Sequence, residues 1–274
     1  MSINIPSTTS KSPPVVLSMA GSDPSAGAGL QADLLTLASL GVHGCTAVTA
    51  LTVQNSVNVQ SFTTVSAEHC LDQARAILED IPVQVIKIGM LGSVAMVRAV
   101  AKLIAEYPEM PVVLDPVLAA GGGTSLAGKG LRDAMVEWLL PKVTIVTPNG
   151  PEALILSEMA ELSAAGIWLN HQGSSWVLIT GGHGEGQMLE NLLFHEGRVQ
   201  DRLLQTRLPH TYHGSGCTLA SAIAAGLAQG QPMREAVSAA LDFTHGCLQH
   251  AYCLGHGQYF PNRFYQHQNF GNHR

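Results

Sequence analysis

Between residues 15 and 252, short apolar runs alternate with longer stretches of helical period. This alternation narrows the possible folds more than any other property of the chain. Apolar runs stand at 15–20 (VVLSMA), 45–53, 83–88, 111–114, 143–146 and 176–180, with strand-like stretches at 56–65, 189–195 and 198–204. Between them, 30–40, 67–79, 94–106, 131–140, 152–159, 162–171, 218–229 and 233–252 read as helices. Strand and helix in turn give an α/β fold, a mostly parallel central sheet with helices on both faces. No Pro/Ser-rich linker divides the chain and no segment repeats. One domain is therefore expected over 15–260, between a flexible tail at 1–14 and a second tail at 261–274.

The same order says where a ligand would sit. In open parallel sheets ligands bind beyond the carboxyl ends of the strands. Here those ends are the loops at 21–29, 54–55, 89–92, 115–125, 147–152, 181–187 and 209–217. Composition removes other classes of partner. The 274 residues carry a formal charge of −6, which argues against a nucleic-acid footprint. No apolar run is long enough to cross a bilayer, and the polar N-terminus MSINIPSTTSKSPP lacks a secretory core. Five widely spaced cysteines do not form an even disulfide framework, so a reduced, cytoplasmic setting is expected.

The most informative loop is the last, within HTYHGSGCTLASAIAAGLAQG at 210–230. Gly214 and Gly216 let the backbone turn and expose consecutive N–H groups. The helix read from about Thr218 adds its own unpaired first-turn N–H groups. Gly214, Ser215, Gly216 and Cys217 would thus cradle an oxyanion, phosphate being the usual one. The helix end should favour a Cys217 thiolate, and a base beside an anion cradle suggests phosphoryl transfer. A Gly-rich helix cap with a small buried Cys is the structural alternative.

Other loops add chemistry. Gln54 closes an apolar strand, and its amide offers the donor and acceptor that an amino-substituted heteroaromatic ring needs. Asp115 and Glu152 follow two strands, so both carboxylates should face one crevice and could hold Mg²⁺. Asn149 and Glu152 also have capping-box spacing, and both readings can hold at once. Gly27-Ala28-Gly29 follows a strand and opens a helix, as a dinucleotide fingerprint would. The second strand ends LTVQN with no acid for a ribose, which excludes hydride chemistry. Asp33, one helical turn further on, either points back at a small ligand or is a solvated or capping Asp. No G-x-x-x-x-G-K-[ST] occurs, so any ATP use is of a non-Walker kind, with the glycine loops at 121–123 and 181–184 able to close over a nucleotide. Cys247, His250, Cys253 and His256 recur every third residue, but drift by about 60° per step around a helix and so cannot all converge on one zinc ion unless the helix breaks.

Seven blocks in order now carry a resemblance: AGSDPSAGAGLQADL (20–34), TALTVQNS (49–56), KIGMLGS (87–93), VVLDPV (112–117), TPNGPEA (147–153), TGGH (180–183) and HGSGCTLASAIAAGLA (213–228). Over about residues 16–252 the chain resembles the hydroxymethylpyrimidine/phosphomethylpyrimidine kinases of thiamine biosynthesis, in the ribokinase superfamily. The resemblance implies a three-layer αβα sandwich, ATP and Mg²⁺, a cytoplasmic homodimer, and phosphorylation of a pyrimidine hydroxymethyl group and then of the monophosphate. By position it implies Gln54, Gly21, Ala28, Asp33 and Met90 around the pyrimidine. It also implies Asn149, Thr180 and Gly182 on the nucleotide side, Glu152 with Asp115 for the metal, and residues 214–217 as the anion hole, with Cys217 as base. Two positions depart from the family pattern. Residues 119–123 read AAGGG where the family usually has AKSGD, and Thr180 stands where it often has Lys. Both remove cations, and Lys87, Lys129 and Arg132 are the nearby candidates to compensate. A pyridoxal kinase on the same scaffold is one alternative function, and a non-catalytic pyrimidine sensor is another.

Overall fold

Strand β1 (Val15–Ser22) is buried along almost its whole length, as a run with apolar side chains on both faces requires. It sits inside the sheet of a computed structural model that describes residues 12–118, 129–181 and 186–267. Along the chain follow α1 (Gly29–Ser39), β2 (His43–Gln54), β3 (Val59–Thr64), α2 (Ala67–Asp80), β4 (Val85–Ile88) and α3 (Val94–Ala105). Next come β5 (Val112–Leu114), α4 (Lys129–Ala134), β6 (Ile145–Val146), α5 (Gly150–Ser157), α6 (Leu162–His171) and β7 (Trp176–Ile179). The hairpin β8 (Met188–His195) and β9 (Arg198–Thr206) leads to α7 (Ser215–Ala228) and α8 (Met233–Gln249).

The strands form one nine-stranded sheet in the order β3-β2-β1-β4-β5-β6-β7-β8-β9. The pairings from β2 across to β7 are parallel, and β2–β3, β7–β8 and β8–β9 are antiparallel. Helices α1, α7 and α8 pack their apolar side chains on one face, and α2 to α6 cover the other. This is the expected mostly parallel αβα sandwich. The strand order reverses at β1, which pairs with β2 on one side and β4 on the other. A crevice at such a reversal is where open sheets bind ligands.

Strand alternation decides which polar side chains enter that crevice. In β4, Ile86 and Ile88 join the core on one face, while Val85 joins the α7 side and takes Lys87 with it. In β1, Val16 likewise faces α7, and Ser18 follows. In β5, Val113 faces α7, which puts Asp115, two residues on, above the first turn of that helix.

Three expectations change. The helix read at 131–140 is α4, a π-turn at Met135–Leu139 and a 3₁₀ turn at Leu140–Lys142, where Pro141 has no N–H to continue an α ladder. Helix α7 begins at Ser215 rather than near Thr218. The tail read from 261 is packed at its start: Asn262 and Arg263 are buried, and Asn262 N–H donates to Cys247 O (2.9 Å).

Candidate active site

The early start of α7 gives Ser215, Gly216 and Cys217 the first-turn N–H groups, which have no partner inside the helix. Gly214 caps them at φ +79°, and a Cβ there would lie 2.0 Å from Gly27 O. Only glycine fits both the left-handed backbone and the contact. The cap is braced from outside. His213 Nε2 and Asp23 Oδ2 are 2.8 Å apart and buried, and Asp23 also accepts from the N–H groups of Ser25 and Ala28 (both 2.8 Å). Gly27 lies so close to His213 that a Cβ there would come within 2.0 Å of the ring. Sequence reasoning missed this pair. Both residues lie inside quoted blocks, but partners 190 positions apart leave no spacing signal.

Asp33 is a correction. It is fully buried and does not line the cavity; its carboxylate is consumed by neighbours. Lys87 Nζ donates to both oxygens (2.9 Å each), Ser18 Oγ to Oδ2 (2.6 Å) and Ser221 Oγ to Oδ1 (2.8 Å). Asp33 thus anchors Lys87, and it is Lys87 that reaches the cavity. Burial works against the ammonium, but the carboxylates of Asp33 first and Asp115 beside it outweigh it and hold the pKa above its ordinary value.

Around this cation lie Asp115, Glu152 and Cys217. Burial pushes the Asp115 carboxyl up, opposed by Lys87 and reinforced by Asp33. Burial and then the Asp115 charge push Glu152 up to about 8, against the N–H of Asn149. The capping box is present as well: Asn149 N–H donates to Glu152 Oε2 (3.0 Å) and Glu152 N–H to Asn149 Oδ1 (2.9 Å). The expectation of an acidified Cys217 is reversed. Cys217 borders the cavity but is hemmed in by protein, and burial, Asp115 and Asp33 outweigh Lys87 and the Gly29 N–H. Its thiol is pushed up to about 12 and stays protonated, within hydrogen-bonding reach of Asp115.

One cavity of about 460 Å³ collects these groups. At one end are Gly21, Ala28, Gln54 and Met90. Gln54 Nε2 donates to Thr52 Oγ1 (2.7 Å), which donates to Ser22 O (2.8 Å), so the amide is oriented before any ligand arrives. Met90, Val59 and Val117 form the apolar wall. Asn149, Thr180, Glu152, Asp115 and residues 214–217 line the middle. At the far end Leu241, Leu248 and Thr244 close it, and Thr244 Oγ1 is buried without a hydrogen-bond partner among the described residues. Gly182, residues 119–123 and the Lys129 side chain lie outside the described residues. Arg132 does not compensate for lost cations: it is tied to Asp133 and to the carbonyls of Ile155 and Leu156, and does not line the cavity. Among the described residues no three His, Cys, Asp or Glu side chains converge for a metal, and no helix is long and apolar enough to cross a membrane.

A ribokinase-like sandwich with an anion cradle at a helix start and two acids beside it is the architecture of a small-molecule kinase. The chain belongs to the phosphomethylpyrimidine kinase family, whose model matches residues 23–262, and it is a phosphotransferase. It is 39% identical over 251 residues to the hydroxymethylpyrimidine/phosphomethylpyrimidine kinase of Streptomyces coelicolor, covering 89% of this chain and 92% of that one. The enzyme of that name from Rhizobium meliloti is also 39% identical, with 89% and 94% covered. Among solved structures, an ADP complex of Bacillus subtilis pyridoxal kinase matches with TM-score 0.85 at 31% identity, covering 93% of this chain and 99% of that chain. The phosphomethylpyrimidine kinase of Clostridium difficile matches with TM-score 0.75 at 30% identity, covering 85% and 99%.

Proposed function

We propose that the chain transfers the terminal phosphoryl group of Mg·ATP to 4-amino-5-hydroxymethyl-2-methylpyrimidine and to its monophosphate in thiamine biosynthesis. The observation that carries this is the lining of a single cavity. An oriented amide with an apolar wall stands at one end, two acids and a helix start in the middle, and an unsatisfied hydroxyl in an apolar recess at the other. The pyrimidine ring lies between Gln54 and Met90, with the backbone of Gly21 and Ala28 against it. The recess at Leu241, Leu248 and Thr244 takes the nucleotide base, leaving Asn149 and Thr180, with Gly182, beside the phosphates.

Asp115 and Glu152 suit a hard cation, because the Asp115 charge raises the pKa of Glu152 and the cation beside them, Lys87, is already paired with Asp33. Two carboxylates are also what Mg²⁺ commonly takes from protein, the rest being phosphate oxygens and water. The ion would neutralise charge on the transferring group. The N–H groups of Ser215, Gly216 and Cys217 meet that group's equatorial oxygens as charge develops.

Cys217 enters as a thiol, so it does not act as a free thiolate. As the hydroxyl oxygen bonds to the γ-phosphorus and the bond from that phosphorus to the bridging oxygen of the departing ADP breaks, the hydroxyl proton passes to Sγ while the Sγ proton passes to the Asp115 oxygen that faces it, the other oxygen being the one left for the metal. The expected signature separates two variants. Cys217→Ala should lower kcat by roughly a hundredfold, within the usual range for losing a proton acceptor, with the pyrimidine KM nearly unchanged. Cys217→Ser should retain most of it, because a hydroxyl can relay a proton without a low pKa. Equal loss in both variants would point instead to a thiolate base.

ADP release on mixing the protein with ATP, Mg²⁺ and the pyrimidine tests the function directly; no release would refute it. Gln54→Ala should raise the pyrimidine KM roughly tenfold, about the worth of one good hydrogen bond, and leave the ATP KM alone. The TM-score of 0.85 to a pyridoxal kinase makes pyridoxal the second substrate to assay beside it. A homodimer working in the cytoplasm completes the proposal, and sedimentation at micromolar concentration checks the dimer.

A further inference from the structure

The segment beyond α8 ends the described chain with a buried cation. Arg263 is 4% exposed. Its Nη2 donates to Gly27 O (2.6 Å) and its Nε to Thr218 Oγ1 (3.0 Å). Thr218 Oγ1 in turn donates to Gly214 O (2.8 Å). Gly27 O is the same atom against which Gly214 is packed. One guanidinium therefore holds together the loop before α1 and the cap of α7, the two walls of the anion cradle.

It has no direct ion-pair partner among the described residues, and Asp33 acts on it only from beyond contact distance, against the burial that disfavours its charge. Lys87, the other buried cation here, is paired with Asp33. No ion pair among the described residues involves Arg263, whose partners are neutral oxygens. Arginine remains charged even where burial disfavours it. A unit charge in a poorly polarisable interior acts over several ångströms, adding to the partial positive charge of a helix start.

We propose that Arg263 is a positioning residue of the phosphate cradle, fixing the Gly27 and Gly214 loops in register and lending positive potential from behind the first turn of α7. This rests on the reading of the cradle as the seat of the ATP terminal phosphate.

The test uses the full chain with Arg263→Gln and Arg263→Lys, and calorimetric binding of AMP-PCP and of adenosine. Arg263→Gln should weaken AMP-PCP about tenfold while adenosine binds as before, since the charge acts on phosphate and not on the base. Arg263→Lys keeps the charge but not the fork, and should recover AMP-PCP affinity to within about threefold even if its Tm falls. Turnover should drop in Arg263→Gln with the pyrimidine KM held. A parallel loss of AMP-PCP and adenosine in both variants would mean a purely structural residue and overturn the proposal. If Arg263→Gln does not fold, Arg263→Met, which keeps the apolar stem and drops the charge, is read by the same ratio of the two ligands. Failure of the wild-type protein to bind AMP-PCP would instead refute the cradle itself.

Discussion

Gly214→Ala should abolish phosphoryl transfer and destabilise the protein at once. A side chain at φ +79° costs about 1–2 kcal/mol on its own. The added Cβ would also lie 2.0 Å from Gly27 O, a backbone atom that the Arg263 guanidinium holds in place. The cap must move, and the N–H groups of Ser215 to Cys217 move with it. Losing one aligned donor at such a site costs on the order of 10²–10³ in turnover, and this substitution misplaces several together. The Tm should fall by several degrees, at roughly 2–4 °C per kcal/mol for a chain of this size. Turnover within about threefold of wild type would show that the transferring group sits elsewhere.

Glu152→Gln should give changes of opposite sign in activity and stability. Turnover is expected to drop by on the order of a hundredfold or more, because on the proposed function the metal would lose one of its two carboxylates. The ligand-free protein should instead become more stable at alkaline pH. In the folded state Glu152 is pushed from 4.5 up to about 8 by burial and by Asp115. Across that window the folded chain binds more protons than the unfolded one, so stability is full at acid pH and lost as pH rises toward about 8. Gln removes the titration while its amide oxygen can still accept from Asn149 N–H. Melting curves at pH 5 and pH 8 should therefore differ less in the variant, with its gain at pH 8. Added Mg·ATP should stabilise the wild type more at pH 8 than at pH 5, since binding then competes with fewer protons. A wild-type Tm that rises between pH 5 and pH 8 without ligand would contradict the electrostatic account.

The sheet was readable because its signals are periodic and local. The run VVLSMA and the β-branched 45–53 segment each announce an element without knowledge of distant residues. Gln54, Asp115 and Glu152 were readable for a related reason, since a parallel sheet carries the ends of its strands to one edge. Asp33 was misjudged because one helical turn shows which way a side chain leaves the helix but not what it meets. Its partner Lys87 lies 54 residues on, although the alternation of Val85 and Lys87 could have indicated the shared face. Cys217 followed a sound local rule, that a helix start acidifies a thiol, and the rule lost to burial and to carboxylates brought in by other strands. Arg263 was hidden by the aperiodic sequence around it, because an irregular strap packed on helices has no period to detect.

The brace across the cradle joins Asp23 to His213 and Gly27 to Arg263, pairs 190 and 236 positions apart. A ribosome must therefore deliver position 263 before the cradle can be locked. Nascent chains, and products clipped ahead of position 263, can assemble much of the sheet while lacking that lock. Formation of the sheet and completion of the cradle are thus separate events in synthesis, the second waiting on residue 263.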